Sequence, residues 1–380
     1  MEVTALQLFA LLRAALWKEE VDVSLFKGAV DWKAVSALAF RQTVLGLLYE
    51  GIMQLPQEYR PERALILKLH SWCVQTVQRH HLLNEVWKEI AGRLEGEQIH
   101  CVLLKGQGLA ANYPEPLRRA CGDIDLYVGS ENYPRVCRLL ADWGMLTEEA
   151  SETTQHLHLT YRSVTLEIHR ITGVMYHWRI NRAFRSWSDA LLQGPDCRTM
   201  EVGGKTVYLP PVRFDALFIF YHLHRHLLTG GVGLRQFCDC MMFLHAYAGE
   251  VDRPLLEKDL NEMGLMRGWQ IMGYLVVNYL GMPKEEFPFY ADDKDVRESA
   301  GVMLELVLRN GNFGFFNPVR EGRPEGYLSG KLHSLKVTVH HLRQMSRLFP
   351  KEVWAYWTFY LWRGVTHAAT DWLKKKKPAG

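Results

Sequence analysis

The sequence predicts an α/β (α+β) chain, a small sheet set between helical N-terminal and C-terminal regions. Three observations carry this. Apolar residues recur at helical spacing through the first 95 positions, as in Leu65, Ile66, Leu69, Val74, Val77, Leu82, Leu83, Val86 and Trp87. Alternation of apolar and polar residues then takes over between about 96 and 209, with glycines between the alternating runs. After the break at Leu209-Pro210-Pro211 the helical pattern returns. The divisions expected are therefore 1–95, 96–209 and 210–380.

In chain order, Leu6 to Trp17 is largely apolar but short, interrupted by Gln7 and Arg13 and followed by Lys18-Glu19-Glu20. With no small-residue cleavage site after it, it reads as an amphipathic helix and not as a signal peptide. Val102 to Leu104 is a short apolar strand that stops at Lys105-Gly106, with Gly108 next but one. A strand ending in a glycine-rich turn before a helix offers backbone N–H groups to an anion, and Lys105 adds a positive charge. In Gly122-Asp123-Ile124-Asp125-Leu126-Tyr127-Val128, Ile124, Leu126 and Val128 share one face and Asp123 and Asp125 the other. Asn132 to Trp143 fits a crossover helix. His156 to Tyr161 and Val164 to His169 both alternate around Arg162-Ser163, a β-hairpin with Thr165, Glu167 and His169 on one face.

Asp-x-Asp on a strand is often only a solvated edge. Two carboxylates about 4 Å apart repel by roughly 4 kcal/mol at an effective dielectric of about 20, and a divalent cation between them relieves this. Oxygen donors suit Mg²⁺ or Mn²⁺, which normally arrive with phosphates. If the hairpin pairs beside the acidic strand, Glu167 joins Asp123 and Asp125. Arg118 and Arg119 lie just ahead of that strand.

The series Leu104-Lys105-Gly106, Tyr113-Pro114, Arg118, Gly122-Asp123-Ile124-Asp125-Leu126 and Leu166-Glu167-Ile168-His169 resembles the uncharacterised bacterial nucleotidyltransferases of the DNA polymerase beta superfamily. The likeness spans roughly residues 95 to 175, and Pro211 to Leu244 more loosely. It implies a small mixed sheet flanked by helices, with Asp123, Asp125 and Glu167 binding Mg²⁺ (or Mn²⁺) and acting as the catalytic acids. It implies phosphate contacts at Gly106 to Gly108, in a nucleoside triphosphate substrate whose α-phosphate is attacked in line. Gln107 stands where relatives carry glycine or serine, so the phosphate grip is expected to fall on Lys105 and Arg118. In His222-Leu223-His224-Arg225-His226, then Gly230 to Arg235, then Asp239, the resemblance places His226, Arg235 and Asp239 at the nucleotide or acceptor pocket. Histidines four apart share a helix face and also suit zinc, although no glutamate stands between them as in zinc-protease helices. Packed core histidines are the plainer alternative.

The 380 residues carry a net charge of +3, too small to point to long nucleic acid; the acceptor class left is a small hydroxylated molecule or a protein. Seven scattered cysteines show no zinc or disulfide spacing and read as buried free thiols of a cytoplasmic enzyme; ATP binding is what the resemblance implies. No run approaches a transmembrane length. The aromatic run Val353 to Trp362 and Lys374 to Lys377 read as a buried helix with a solvated tail, or as a membrane-surface contact. A binding or assembly protein that keeps the fold with little turnover is the alternative to an enzyme.

Overall fold

The computed structural model describes residues 2–146, 154–202, 204–316, 326–346, 348–349 and 352–360. Four helices come first: α1 (Val3–Trp17), α2 (Trp32–Arg41), α3 (Leu45–Gln54) and α4 (Arg63–Gly96). Asp31 caps α2 by accepting from the Ala34 backbone N–H at 2.9 Å, satisfying a donor that the helix itself leaves open. Helices α1 and α3 pack so closely that a Cβ on Gly51 would stand 2.2 Å from the Leu11 carbonyl oxygen. Buried Gln42 donates to the Val307 carbonyl at 3.0 Å and accepts from the Leu234 N–H at 3.0 Å, tying these helices to the C-terminal part of the chain.

The sheet region runs β1 (Val102–Leu104), α5 (Gly106–Ala110), β2 (Asp123–Tyr127), α6 (Gly129–Asp142), β3 (His156–Tyr161), β4 (Val164–His169) and α7 (Trp178–Leu192). Strand order is β1-β2-β4-β3, a mixed sheet in which β1 is antiparallel to β2, β2 parallel to β4, and β4 antiparallel to β3. Ile124, Leu126, Leu166 and Ile168 face α4 and α6 and are fully buried in one core with Leu83, Val86, Ile90, Tyr133 and Val136. The opposite face carries the polar residues of β2 and β4. A separate hairpin follows, β5 (Arg198–Val202) and β6 (Lys205–Leu209), which sequence reading folded into the central region without resolving it.

The remaining chain is helical: α8 (Val212–Thr229), α9 (Leu234–Ala246), α10 (Arg253–Glu262), α11 (Met266–Leu280), α12 (Lys294–Asn310), α13 (Tyr327–Met345) and α14 (352–360). Phe214, Phe218, Phe220, Tyr221, Phe237, Phe243 and Trp269 fill its core. Among the described residues no helix is long and apolar enough to cross a membrane. No disulfide joins any of the seven cysteines, all of which lie among the described residues. Lys374 to Lys377 lies outside the described residues.

Candidate active site

Asp125 and Glu167 are register partners across the parallel β2–β4 pair, so both carboxylates leave the same face of the sheet side by side. His169, two residues beyond Glu167, joins them. Its Nε2 lies 2.8 Å from Asp125 Oδ1 and 3.4 Å from Glu167 Oε2. These three residues each offer a ligand atom, and the atoms lie within 4.8 Å of one another. Asp125 is only 2% exposed. Burial by itself pushes its carboxyl up, but the Lys105 ammonium and the His169 hydrogen bond outweigh burial and hold it well below the usual carboxylate range. Glu167 is also held low, chiefly by the His169 hydrogen bond. Burial works against a charged His169, yet the bonds to the two acids raise its pKa above the ordinary value.

Asp123 shares the sheet face with Asp125 one pleat away but is not part of that trio. Burial, and next the neighbouring Asp125 charge, push its carboxyl up.

Lys105 approaches Asp125 from the other side, with Nζ 3.2 Å from Oδ2. The turn that aims it is demanding. Lys105 and Gly106 both have positive φ, 53° and 49°, and for the lysine that conformation costs on the order of 1 kcal/mol. Nζ also donates to His222 Nε2 at 3.0 Å, and His226 Nε2 sits 3.0 Å from the same nitrogen. Burial, with the Lys105 charge next, depresses both imidazoles, His226 to about 3 and His222 well below its ordinary value. His222 meets the ammonium as a neutral ring, and neutral His226 is hydrogen-bonded to His222 in turn.

These groups line a cavity of about 1210 Å³. Ile219, His222, His226 and Thr229 of α8 run along it, a rise of ten steps or roughly 15 Å of helix. Its far wall is aromatic: Phe313, Tyr356, Phe359 and Tyr360, with Tyr176 packed edge-on against Tyr356 at 4.6 Å between ring centres. The aromatic segment near the C-terminus is therefore neither wholly buried nor wholly on the surface. Three of its rings face the cavity, while Trp354 is 69% exposed.

The lead-in to β2 is held rigidly. Arg119 donates to both Asp239 oxygens (2.7 and 2.8 Å), Tyr113 donates to Asp239 Oδ1 at 2.7 Å, and His80 donates to the Arg119 carbonyl at 2.7 Å. Arg79 donates to the Gly122 carbonyl and Arg235 to the Ala120 carbonyl, both at 2.8 Å. Segment 119–122 is thus fixed at several points, and with it the position of Asp123.

Of the residues picked from the sequence, Lys105, Gly106, Asp123, Asp125, Glu167, His226, Arg235 and Asp239 all line the cavity. Asp239 reaches it already bonded to Arg119 and Tyr113, and through Arg119 it braces the β2 lead-in. Arg118 is placed elsewhere. It pairs with Glu50 at 2.5 Å and lies over the Tyr49 ring, outside the cavity lining, because the short helical turn at Pro116–Arg118 points it back at α3. Gly108 is also off the cavity: a Cβ there would stand 2.8 Å from Leu209 Cδ2, so that glycine permits packing against β6. His222 and His226 share a helix face as spacing predicts, but no third ligand joins them among the described residues.

Residues 28–281 match the model of the family described as uncharacterised nucleotidyltransferase. The chain belongs to that family. The matched stretch spans α2 to α11 and contains the acidic cluster, Lys105 and the α8 histidines. Comparison with curated proteins gives no match. Among solved structures, the chain is similar to the crystal structure of an antigenic nucleotidyltransferase-like protein from Paracoccidioides brasiliensis. Identity is 15% and the TM-score 0.31, covering 53% of this chain and 92% of that one. Membership in a nucleotidyltransferase family assigns nucleotidyl transfer as the general chemistry.

His169 was visible in the sequence as the third member of the Thr165, Glu167, His169 face, yet strand alternation alone gave it no task. The register beside Asp125 supplies one. The aromatic wall was not readable, since Tyr176 and Tyr356 are 180 positions apart.

Proposed function

We propose that this nucleotidyltransferase moves a nucleoside monophosphate from a nucleoside triphosphate to a hydroxyl group on a small molecule or a protein, releasing pyrophosphate. The observation that carries the reading is the adjacency of Asp125 and Glu167 across β2 and β4. Lys105 occupies the second oxygen of Asp125, and all three lie on the wall of a cavity large enough for nucleotide and acceptor together.

The donor chemistry fits a divalent cation. Ligands on adjacent positions of an octahedral ion, with bonds of about 2.1 Å, stand about 3.0 Å apart; His169 Nε2 stands 2.8 Å from Asp125 Oδ1 and 3.4 Å from Glu167 Oε2, and the three ligand atoms lie within 4.8 Å of one another. Asp125 and Glu167 would hold it, with Asp123 flanking. When bound, such an ion neutralises phosphate charge and makes a coordinated acceptor oxygen more nucleophilic.

The chain's own residues do the rest. Lys105, paired with Asp125 at 3.2 Å, offsets negative charge on the phosphates. Arg235, anchored through Ala120, presents a second cation to the cavity. The acceptor oxygen forms a bond to the α-phosphorus as the bond to the β-phosphate oxygen breaks, and pyrophosphate leaves. The acceptor's proton passes to a base in the cavity. His156 fits that task, because burial lowers its pKa and keeps the imidazole neutral 4.0 Å from Glu167. Glu167, held ionised by His169, acts as a ligand.

The test is pyrophosphate release from each nucleoside triphosphate with added Mg²⁺ or Mn²⁺ and cell extract as acceptor source. Wild-type protein is expected to release it, and Asp125→Asn to lose at least about a hundredfold. Equal release by that variant would refute the assignment.

A further inference from the structure

Resting on the reading that Asp125 and Glu167 hold the catalytic cation, we propose that His169 Nε2 is a direct ligand to it. The centre is then a mixed nitrogen–oxygen site that prefers first-row transition ions such as Mn²⁺ and Co²⁺ over Mg²⁺.

The geometry leaves an incoming ion little choice. Lys105 occupies Asp125 Oδ2, so the oxygen presented to a cation is Oδ1, and that is the oxygen facing His169 Nε2 at 2.8 Å. The same nitrogen is the one nearest Glu167, at 3.4 Å. An ion reaching both carboxylates therefore lies within bonding distance of the imidazole. The ring is buried, next to the His156 ring at 5.1 Å between centres.

The other ring nitrogen, Nδ1, is buried and has no hydrogen-bond partner among the described residues. A buried imidazole is ordinarily oriented by a bond at each nitrogen. Here the orientation comes entirely from the Nε2 side, which faces the two acids.

Ligand type then decides the ion. Mg²⁺ demands oxygen ligands and gains little from an imidazole. Nitrogen donors follow the rising order from Mn²⁺ through Co²⁺ to Zn²⁺. A set of two carboxylates and one buried imidazole therefore shifts selectivity away from the all-oxygen expectation drawn from Asp123, Asp125 and Glu167.

The experiment uses the full chain without nucleotide. Mn²⁺, Co²⁺ and Mg²⁺ are titrated separately by calorimetry into wild type, Asp125→Asn and His169→Gln. The electron spin-echo spectrum of the Mn²⁺ form is then examined for coupling to a ¹⁴N nucleus. Expected for wild type are Mn²⁺ binding about tenfold or more tighter than Mg²⁺, Co²⁺ tighter again, and an imidazole nitrogen coupling. In His169→Gln, where an amide oxygen replaces the nitrogen, the coupling disappears and Mn²⁺ falls to the level of Mg²⁺. Ion binding that Asp125→Asn abolishes, with no ¹⁴N coupling and no preference over Mg²⁺, overturns the nitrogen ligand and leaves the carboxylate site standing. Ion binding that Asp125→Asn does not alter overturns both.

Discussion

Asp239→Ala is the substitution whose cost the structure specifies most fully. Asp239 accepts three short bonds, two from the Arg119 guanidinium and one from the Tyr113 hydroxyl, and both members of the ion pair are buried. Burial opposes a charged Asp239, but Arg119 outweighs it and the carboxyl stays below the usual range. Removing the acid leaves a buried guanidinium without its partner. Breaking a buried pair in this way costs about 3–5 kcal/mol, a large part of a typical stability of about 5–15 kcal/mol. Replacing both partners with apolar groups of similar volume removes the stranded charge, so Arg119→Met with Asp239→Leu is expected to regain most of the loss. Urea unfolding followed by tryptophan fluorescence at pH 7 measures both variants. A single-variant loss under about 1 kcal/mol, the scale of a surface pair, would refute the bracing role, as would a double variant no better than the single. If the β2 lead-in depends on this brace, Asp239→Ala lowers pyrophosphate release along with stability.

Other outcomes follow from the same geometry. Lys105→Met is expected to raise KM for the triphosphate at least tenfold, while Arg118→Met, outside the cavity, leaves it unchanged; steady-state kinetics on the pair decide this. Gly51→Ala forces a Cβ onto the Leu11 carbonyl and is expected to cost on the order of 1–3 kcal/mol, whereas Gly301→Ala, with open space around it in α12, gains about 0.5–1 kcal/mol. Thermal melts of the two show opposite shifts. Burial depresses His224 to about 4, so its neutral form contributes stability fully above pH 6.5, and that contribution is lost as pH falls from there toward 4. His224→Phe should therefore remove about 1.4 kcal/mol per pH unit from the acid-side slope of unfolding free energy across that window.

How far the sequence reaches depends on the range of the interaction involved. Period-two alternation is local, so β3 and β4 and the turn at Arg162-Ser163 fall where reading placed them, and so does the buried face of β2. Register is not local. That Asp125 lies beside Glu167 depends on β2 and β4 pairing in parallel through the α6 crossover, which alternation leaves open. Arg118 illustrates the converse. Its charge and its place before the acidic strand suggested phosphate, but α3, sixty-odd residues earlier, supplies Glu50 and claims it. Gly108 looked like part of an anion loop, and its lack of a side chain instead serves packing against Leu209. Phe313, Tyr356, Phe359 and Tyr360 come from beyond the stretch that matches the family, so the segments that finish the cavity are supplied by a part of the chain with no motif to announce it.

The direct test of the central claim compares triphosphates labelled at the α- or at the γ-phosphate, incubated with the protein, divalent ion and cell extract. Nucleotidyl transfer predicts α-label on the acceptor and γ-label in pyrophosphate, both lost in Asp125→Asn. Transfer of the γ-label to the acceptor, or α-label transfer undiminished in that variant, would contradict it.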